Sequence, residues 1–177
     1  NNNSDWWDWE QVPGHVRNGD RSGLACDHWH RYAEDFDLAT AMHNNAHRLG
    51  VEWARIEPKP GEWSQEALDH YRQVLIALRQ RDLEPLVTLH HFVNPRWLTA
   101  QGGWENPDTV RLFERYAARV VAELGDLVSM WCTINEPEVY SYMGWIAGTW
   151  PPQKTDLRRS QTVLQHPAKA YAKALGN

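Results

Sequence analysis

The sequence holds only two cysteines, Cys26 in a Gly/Asp-rich loop and Cys132 far downstream. That scarcity excludes a disulfide framework, and with no Cys/His cluster at ligand spacing no metal site is expected. No stretch approaches the roughly 20 apolar residues of a membrane span, no Lys/Arg-rich run offers a nucleic acid or an anionic lipid surface a partner, and Asn1-Asn2-Asn3-Ser4 lacks a signal-peptide pattern. No Gly-x-Gly-x-x-Gly fingerprint opens a helix, so a dinucleotide cofactor loses its best support. The expectations are therefore no cofactor, no nucleic acid, no membrane and a cytoplasmic location. A chain of 177 residues, 42% hydrophobic with a formal net charge of −5, can bury one good core. A single domain over 1–177 is the default.

What the chain has in excess is tryptophan, eleven in all. Any one of them is most simply a core or loop anchor. Together, concentrated near expected strand ends and loops, they point to a carbohydrate, because the indole face suits the C–H face of a pyranose ring.

From about residue 31 helical and strand periodicities alternate. Tyr32, Phe36, Ala39 and Met42 make one helical face, and Ala46 to Ile56 reads as a strand carrying Arg48 and Trp53. Glu57-Pro58-Lys59-Pro60-Gly61 must be a loop. Ser64 caps a helix with the stripe Leu68, Tyr71, Val74, Leu75 and Leu78, and Glu84 to Phe92 is the next strand. A third helix is expected from Asn106 as N-cap, with Pro107 at its first position and Gly125 past its end. Its apolar face is Val110, Phe113, Ala117, Val120, Val121 and Leu124. Val128 to Asn135 reads as a third strand, and Thr162 to Leu175 as a further helix. Strand-then-helix repeats imply parallel strands joined by right-handed crossovers. Either a doubly wound sheet or part of a (β/α)-barrel fits.

The polar groups cluster at the carboxyl ends of strands: His90 and His91 on the second, Asn135 and Glu136 on the third. In Thr133-Ile134-Asn135-Glu136-Pro137, Pro137 cannot donate to a sheet and disfavours helical geometry at Glu136, so the strand stops with the carboxyl group at its rim. There it is expected to be poorly solvated, with a raised pKa suited to protonating a leaving oxygen.

These motifs, in this order, resemble glycoside hydrolase family 1, the β-glucosidase and 6-phospho-β-glucosidase group. The resemblance is carried by Ser22 to Trp29 followed by Arg31-Tyr32-Ala33-Glu34-Asp35, by His47 to Ile56, by Val87 to Phe92, by Gly102-Gly103-Trp104 and by Thr133 to Pro137. It implies a (β/α)8 TIM-barrel fold, of which this chain would hold strands two to four and their helices, and retaining hydrolysis of O-glycosidic bonds. It also implies roles: Glu136 as general acid/base, Asn135 on the sugar 2-hydroxyl, His91 on the 3-hydroxyl, and Arg48 orienting the nucleophilic carboxylate. Phe92 stands where the family commonly has tryptophan.

The family's nucleophile lies in a Thr-Glu-Asn-Gly motif, and none occurs here, so no nucleophile is expected in this chain. Glu52 is the only substitute worth weighing. It sits on the wrong strand and reads as a solvated or salt-bridged structural residue. A complete barrel typically takes about 250 residues, and the family's first strand would lie upstream of Asn1. The leading expectation is the acid/base half of a β-glycosidase acting on a β-glycoside or oligosaccharide. The alternative is a noncatalytic carbohydrate-binding or assembly fragment. With its sheet edges open, the chain is expected to self-associate or to pair with a complementary barrel segment.

Overall fold

The computed structural model describes residues 2–174. After a short helix α1 (Asp5–Glu10), the order is α2 (His28–Ala41), β1 (Ala46–Gly50), α3 (Trp53–Ile56), α4 (Gln65–Arg79), β2 (Glu84–His90), α5 (Arg96–Ala100), α6 (Thr109–Leu124), β3 (Met130–Ile134), α7 (Pro137–Trp145) and α8 (Leu157–Ala174). The three strands form one parallel sheet in chain order, with β2 central. Among the described residues no helix is long and apolar enough to cross a membrane.

The helices between and after the strands form where their apolar stripes demand. In α4 the Ser64 hydroxyl accepts from the Ala67 amide, and Leu68, Tyr71, Val74, Leu75 and Leu78 are all buried. In α6 the buried face is Val110, Phe113, Ala117, Val120 and Leu124, joined by Leu112 and Tyr116; Val121, assigned to that face by periodicity, is exposed. These stripes meet Leu49, Val87 and Leu89 in one continuous core. A doubly wound sheet would be covered on both faces. Here the opposite face carries the exposed Arg48 and Met130, as in an incomplete (β/α)-barrel.

Several element boundaries differ from the sequence expectation, each for a local reason. The strand read over 46–56 ends at Gly50, and Trp53–Ile56 is a helical turn that puts Trp53 face to face with Tyr116 (centroids 4.8 Å apart, planes 13°). Burying an indole there outweighs the local alternation. The helix expected from Asn106 begins at Thr109, because the Asn106 side chain closes a turn onto the Asp108 amide (3.0 Å). Gly125 does lie just past that helix, though in right-handed geometry (φ −66°). The last helix starts at Leu157 rather than Thr162, its first amides, those of Arg158 and Arg159, held by the Asp156 carboxylate at 3.0 and 3.1 Å; Leu175 lies outside the described residues. Met42 closes α2 but is exposed, and both cysteines are free. Of the tryptophans, Trp53, Trp104 and Trp145 are core residues, while Trp29, Trp63, Trp97 and Trp131 pack against the core from its margin.

Candidate active site

Parallel strands deliver their carboxyl ends to one rim of the sheet, so the residues just past β2 and β3 are brought together by topology alone. Arg48 reaches this rim across the open face. The register sets Gly50, Thr88 and Cys132 abreast, and Arg48, two residues before Gly50, shares their face. Its Nε donates to Thr88 Oγ1 at 2.9 Å and its Nη2 to Asn135 Oδ1 at 2.5 Å, with Cys132 Sγ at 3.8 Å. The planar guanidinium offers several donors in a fixed fork, so these contacts set its orientation as well as its position. Asn135 is buried, and its amide donates to the His90 carbonyl at 2.9 Å, extending the β2–β3 pairing past the end of β3.

The next residue turns the chain. Glu136 has φ 39° and ψ 62°, left-handed backbone, and Pro137 opens α7. Proline disfavours right-handed helix in the residue before it and is pre-organised for the first helical position. The strand therefore becomes a helix through only two residues, Asn135 and Glu136, whose positions lie at the rim. Left-handed backbone is uncommon outside glycine and is kept only where the surroundings over-determine it. Phe92, two residues after β2, is held the same way at φ 69°. In this chain Glu136 is exposed, at the end of the edge strand β3, whose one neighbour among the described residues is β2.

The two histidines at the end of β2 separate. His91 is exposed, and its basicity is held below the usual histidine range, first by partial desolvation and then by the Arg48 guanidinium, with the Glu136 carboxylate opposing both. It therefore shares the rim with Arg48, Asn135 and Glu136. His90 is 2% exposed, and burial lowers its pKa to about 4; its Nε2 faces Asn94 Oδ1 at 3.0 Å and Trp104 Nε1 at 3.2 Å. It is a neutral structural group behind the rim.

Glu52 pairs with Arg55 at 3.5 Å and its amide donates to the Tyr71 hydroxyl at 3.0 Å, the salt-bridged structural role expected of it. Sequence reasoning missed Thr88 and Tyr140. Thr88 is reachable only through the strand register. Tyr140 lies one turn into α7, its amide donating to the Glu136 carbonyl at 3.1 Å, and nothing in its sequence context marks it. The rim thus assembles a carboxyl acid, an amide, an imidazole and a guanidinium, a set suited to grip vicinal hydroxyls and to protonate an oxygen beside them.

Comparison with known proteins identifies the family. The profile of Glycosyl hydrolase family 1 matches residues 1–177. Beta-glucosidase A of Acetivibrio thermocellus is 35% identical over 171 residues, which cover 96% of this chain and 38% of that protein. Among solved structures, the beta-glycosidase from Pyrococcus horikoshii superposes with a TM-score of 0.92 at 35% identity over 99% of this chain and 41% of that one. The Thermotoga maritima beta-glucosidase in complex with glucoimidazole superposes at 0.94 with 32% identity, over 98% and 40% respectively. The chain thus spans about two fifths of the length of the relatives it matches.

Proposed function

This chain belongs to glycosyl hydrolase family 1, and on that premise we propose that it is the part of a retaining β-glycosidase that supplies the acid/base. Glu136 protonates the departing glycosidic oxygen and later takes a proton from the incoming water. Asn135 holds the sugar 2-hydroxyl, a bond that strengthens as the anomeric carbon gains oxocarbenium character. His91, kept more neutral by partial desolvation and then by the Arg48 charge, accepts or donates at the neighbouring hydroxyl. Arg48, fixed by Thr88 and Asn135, presents its remaining N–H groups to a carboxylate nucleophile that no residue here supplies. The observation that carries this reading is the Arg48–Asn135 hydrogen bond, 2.5 Å long. It joins the first strand's cation to the residue beside Glu136.

Retaining hydrolysis needs a second carboxyl group about 5–5.5 Å from the first. By itself, therefore, the chain binds sugar weakly and does not turn over β-glycosides. Its edge strands β1 and β3 expose unpaired backbone groups and drive self-association or pairing with a complementary barrel segment. The test is an assay of the purified chain against an activated aryl β-glucoside, with Glu136→Gln as the control for contaminating enzyme. Turnover that disappears in the variant would mean that an unrecognised carboxylate completes the site. Sedimentation showing a compact, cooperatively unfolding monomer at all concentrations would refute the pairing.

A further inference from the structure

Behind the rim lies a buried polar knot centred on Asn94, 2% exposed, three residues beyond His91. Every hydrogen-bonding group of this residue is engaged. Its amide N–H donates to Asp5 Oδ1 at 2.9 Å and its carbonyl accepts from the Asp5 amide at 3.1 Å. Its Nδ2 donates to Asp5 Oδ2 at 2.8 Å and to the Tyr140 hydroxyl at 2.9 Å, and its Oδ1 accepts from Trp104 Nε1 at 3.1 Å. No other side chain of this size has two donors and an acceptor on one plane.

The two ends of this knot are the two strained turns of the site. On one side Asn94 and Trp6, whose Nε1 donates to the Phe92 carbonyl at 3.0 Å, pin the left-handed Phe92 turn that presents His91. On the other side Tyr140 is held by Asn94 through its hydroxyl, stacks on Phe92 (centroids 6.0 Å, planes 4°), and through its amide holds the carbonyl of Glu136, itself left-handed. A left-handed non-glycine residue relaxes unless its surroundings prevent it. Here the Asn94–Tyr140 hydrogen bond ties the surroundings of one turn to those of the other.

We infer that Asn94 is a positioning residue that locks the His91 turn to the Glu136 turn through Tyr140, so that the sugar-gripping and acid groups keep one spacing. The inference rests on the glycosidase reading above for its kinetic consequence, but not for its structural one.

The experiment therefore has two arms. In the intact barrel that carries this chain, Tyr140→Phe removes one hydroxyl from the knot and leaves the stacking, so the fold survives. It should lower kcat for an unactivated β-glucoside by about tenfold or more, as displacements of the order of an ångström do, with little change in KM. Asn94→Leu should do more, and His91→Ala added to it should cost clearly less than His91→Ala alone, because the imidazole is already misplaced. Losses that simply multiply would overturn the inference. In the isolated chain, which needs no turnover, NMR of the His91 imidazole and the Glu136 amide should show both signals moving together in Tyr140→Phe. Movement of neither, or of Glu136 alone, would overturn it even if the barrel proves inactive on every β-glycoside. Inactivity with coupled signals would instead sink only the glycosidase reading.

Discussion

The two faces of the sheet are built from the same three strands and obey different rules. On the helix side Leu49, Val87 and Leu89 are sealed under α4 and α6. On the other side Arg48 and Met130 are exposed and Cys132 is half-exposed, and the guanidinium of Arg48 bridges Thr88 and Asn135. The packed face contributes folding energy and fixes register, since slipping by one residue would turn every apolar side chain outward. The open face contributes less to stability and carries Arg48, whose proposed partners are the reacting groups. A change on one side should therefore be nearly silent in the measurement that reports the other.

The largest effect expected concerns the open face. In a complete barrel, Glu136→Gln should reduce hydrolysis of β-glycosides with poor leaving groups by about 10²–10⁴-fold, the usual worth of a general acid. Acidic phenol leaving groups need less protonation and should suffer much less at glycosylation. Urea unfolding should be almost unaffected. Equal small losses for both substrate types would remove the acid/base assignment. The converse change, Leu89→Ala, opens a cavity under α6 and should cost about 2–5 kcal/mol. Cys132→Ala, from the half-exposed side, should cost under about 1 kcal/mol. Similar losses for these two would erase the distinction between the faces.

The packed face was also the more legible one. The stripe of α4 was readable residue for residue because Ser64, the apolar spacing and the downstream strand agree with one another. Agreement of that kind is what makes a local pattern reliable. Where tertiary packing outvoted it, as when Trp53 left the strand for a place against Tyr116, periodicity failed. On the open face the motif around Glu136 gave away the rim but not its environment. Solvation of Glu136 depends on neighbouring strands, and Thr88 enters the site through register, neither of which is written in a window of sequence. The Asn94 knot draws partners from α1, α7 and the loop before α6, so no spacing rule could have found it.

A third effect, somewhat smaller, tests whether the knot belongs to the packed or the open regime. Two of its members have pKa values displaced in opposite directions. Burial raises Asp5 from 3.8 to about 6, against its hydrogen bonds from Asn94 and Trp6. Burial lowers His90 from 6.5 to about 4. For His90 the unfolded chain binds more protons between these two values, so its contribution to stability is complete above pH 6.5 and is lost as pH falls toward 4. For Asp5 the folded chain binds more protons, so its contribution is complete below pH 3.8 and is lost as pH rises through about 6. The two slopes oppose, so the contributions of Asp5 and His90 to the unfolding free energy in urea should largely offset each other across their shared window. Asp5→Asn removes one slope and should leave a stability that falls steadily with acidification, by a few kcal/mol in all at about 1.4 kcal/mol per unit of displacement. A profile no steeper than the parent's would mean that water reaches His90 and that the knot is not sealed.

The smallest effect sharpens the comparison most, because it concerns a buried residue on the face that carries Arg48. Thr88 belongs to the central strand and is 1% exposed, yet its hydroxyl accepts from Arg48 on the open side. Thr88→Val keeps the shape and the strand preference and deletes only that acceptor. Arg48 is exposed, so water can satisfy the Nε–H that is released, and the cost in stability should stay within about 1 kcal/mol. The guanidinium would nonetheless lose the hydrogen bond at its Nε, keeping those of Nη2 to Asn135 and to the Cys132 sulfur. In a complete barrel the effect should appear in kcat rather than KM, because under the proposed role a loosened Arg48 no longer holds the nucleophile at its attacking angle. Thr88→Ser, which restores an acceptor, should recover most of the rate. A loss of stability well above that bound, or a rate that Ser does not rescue, would show that Thr88 serves the packing and that Arg48 is oriented without it.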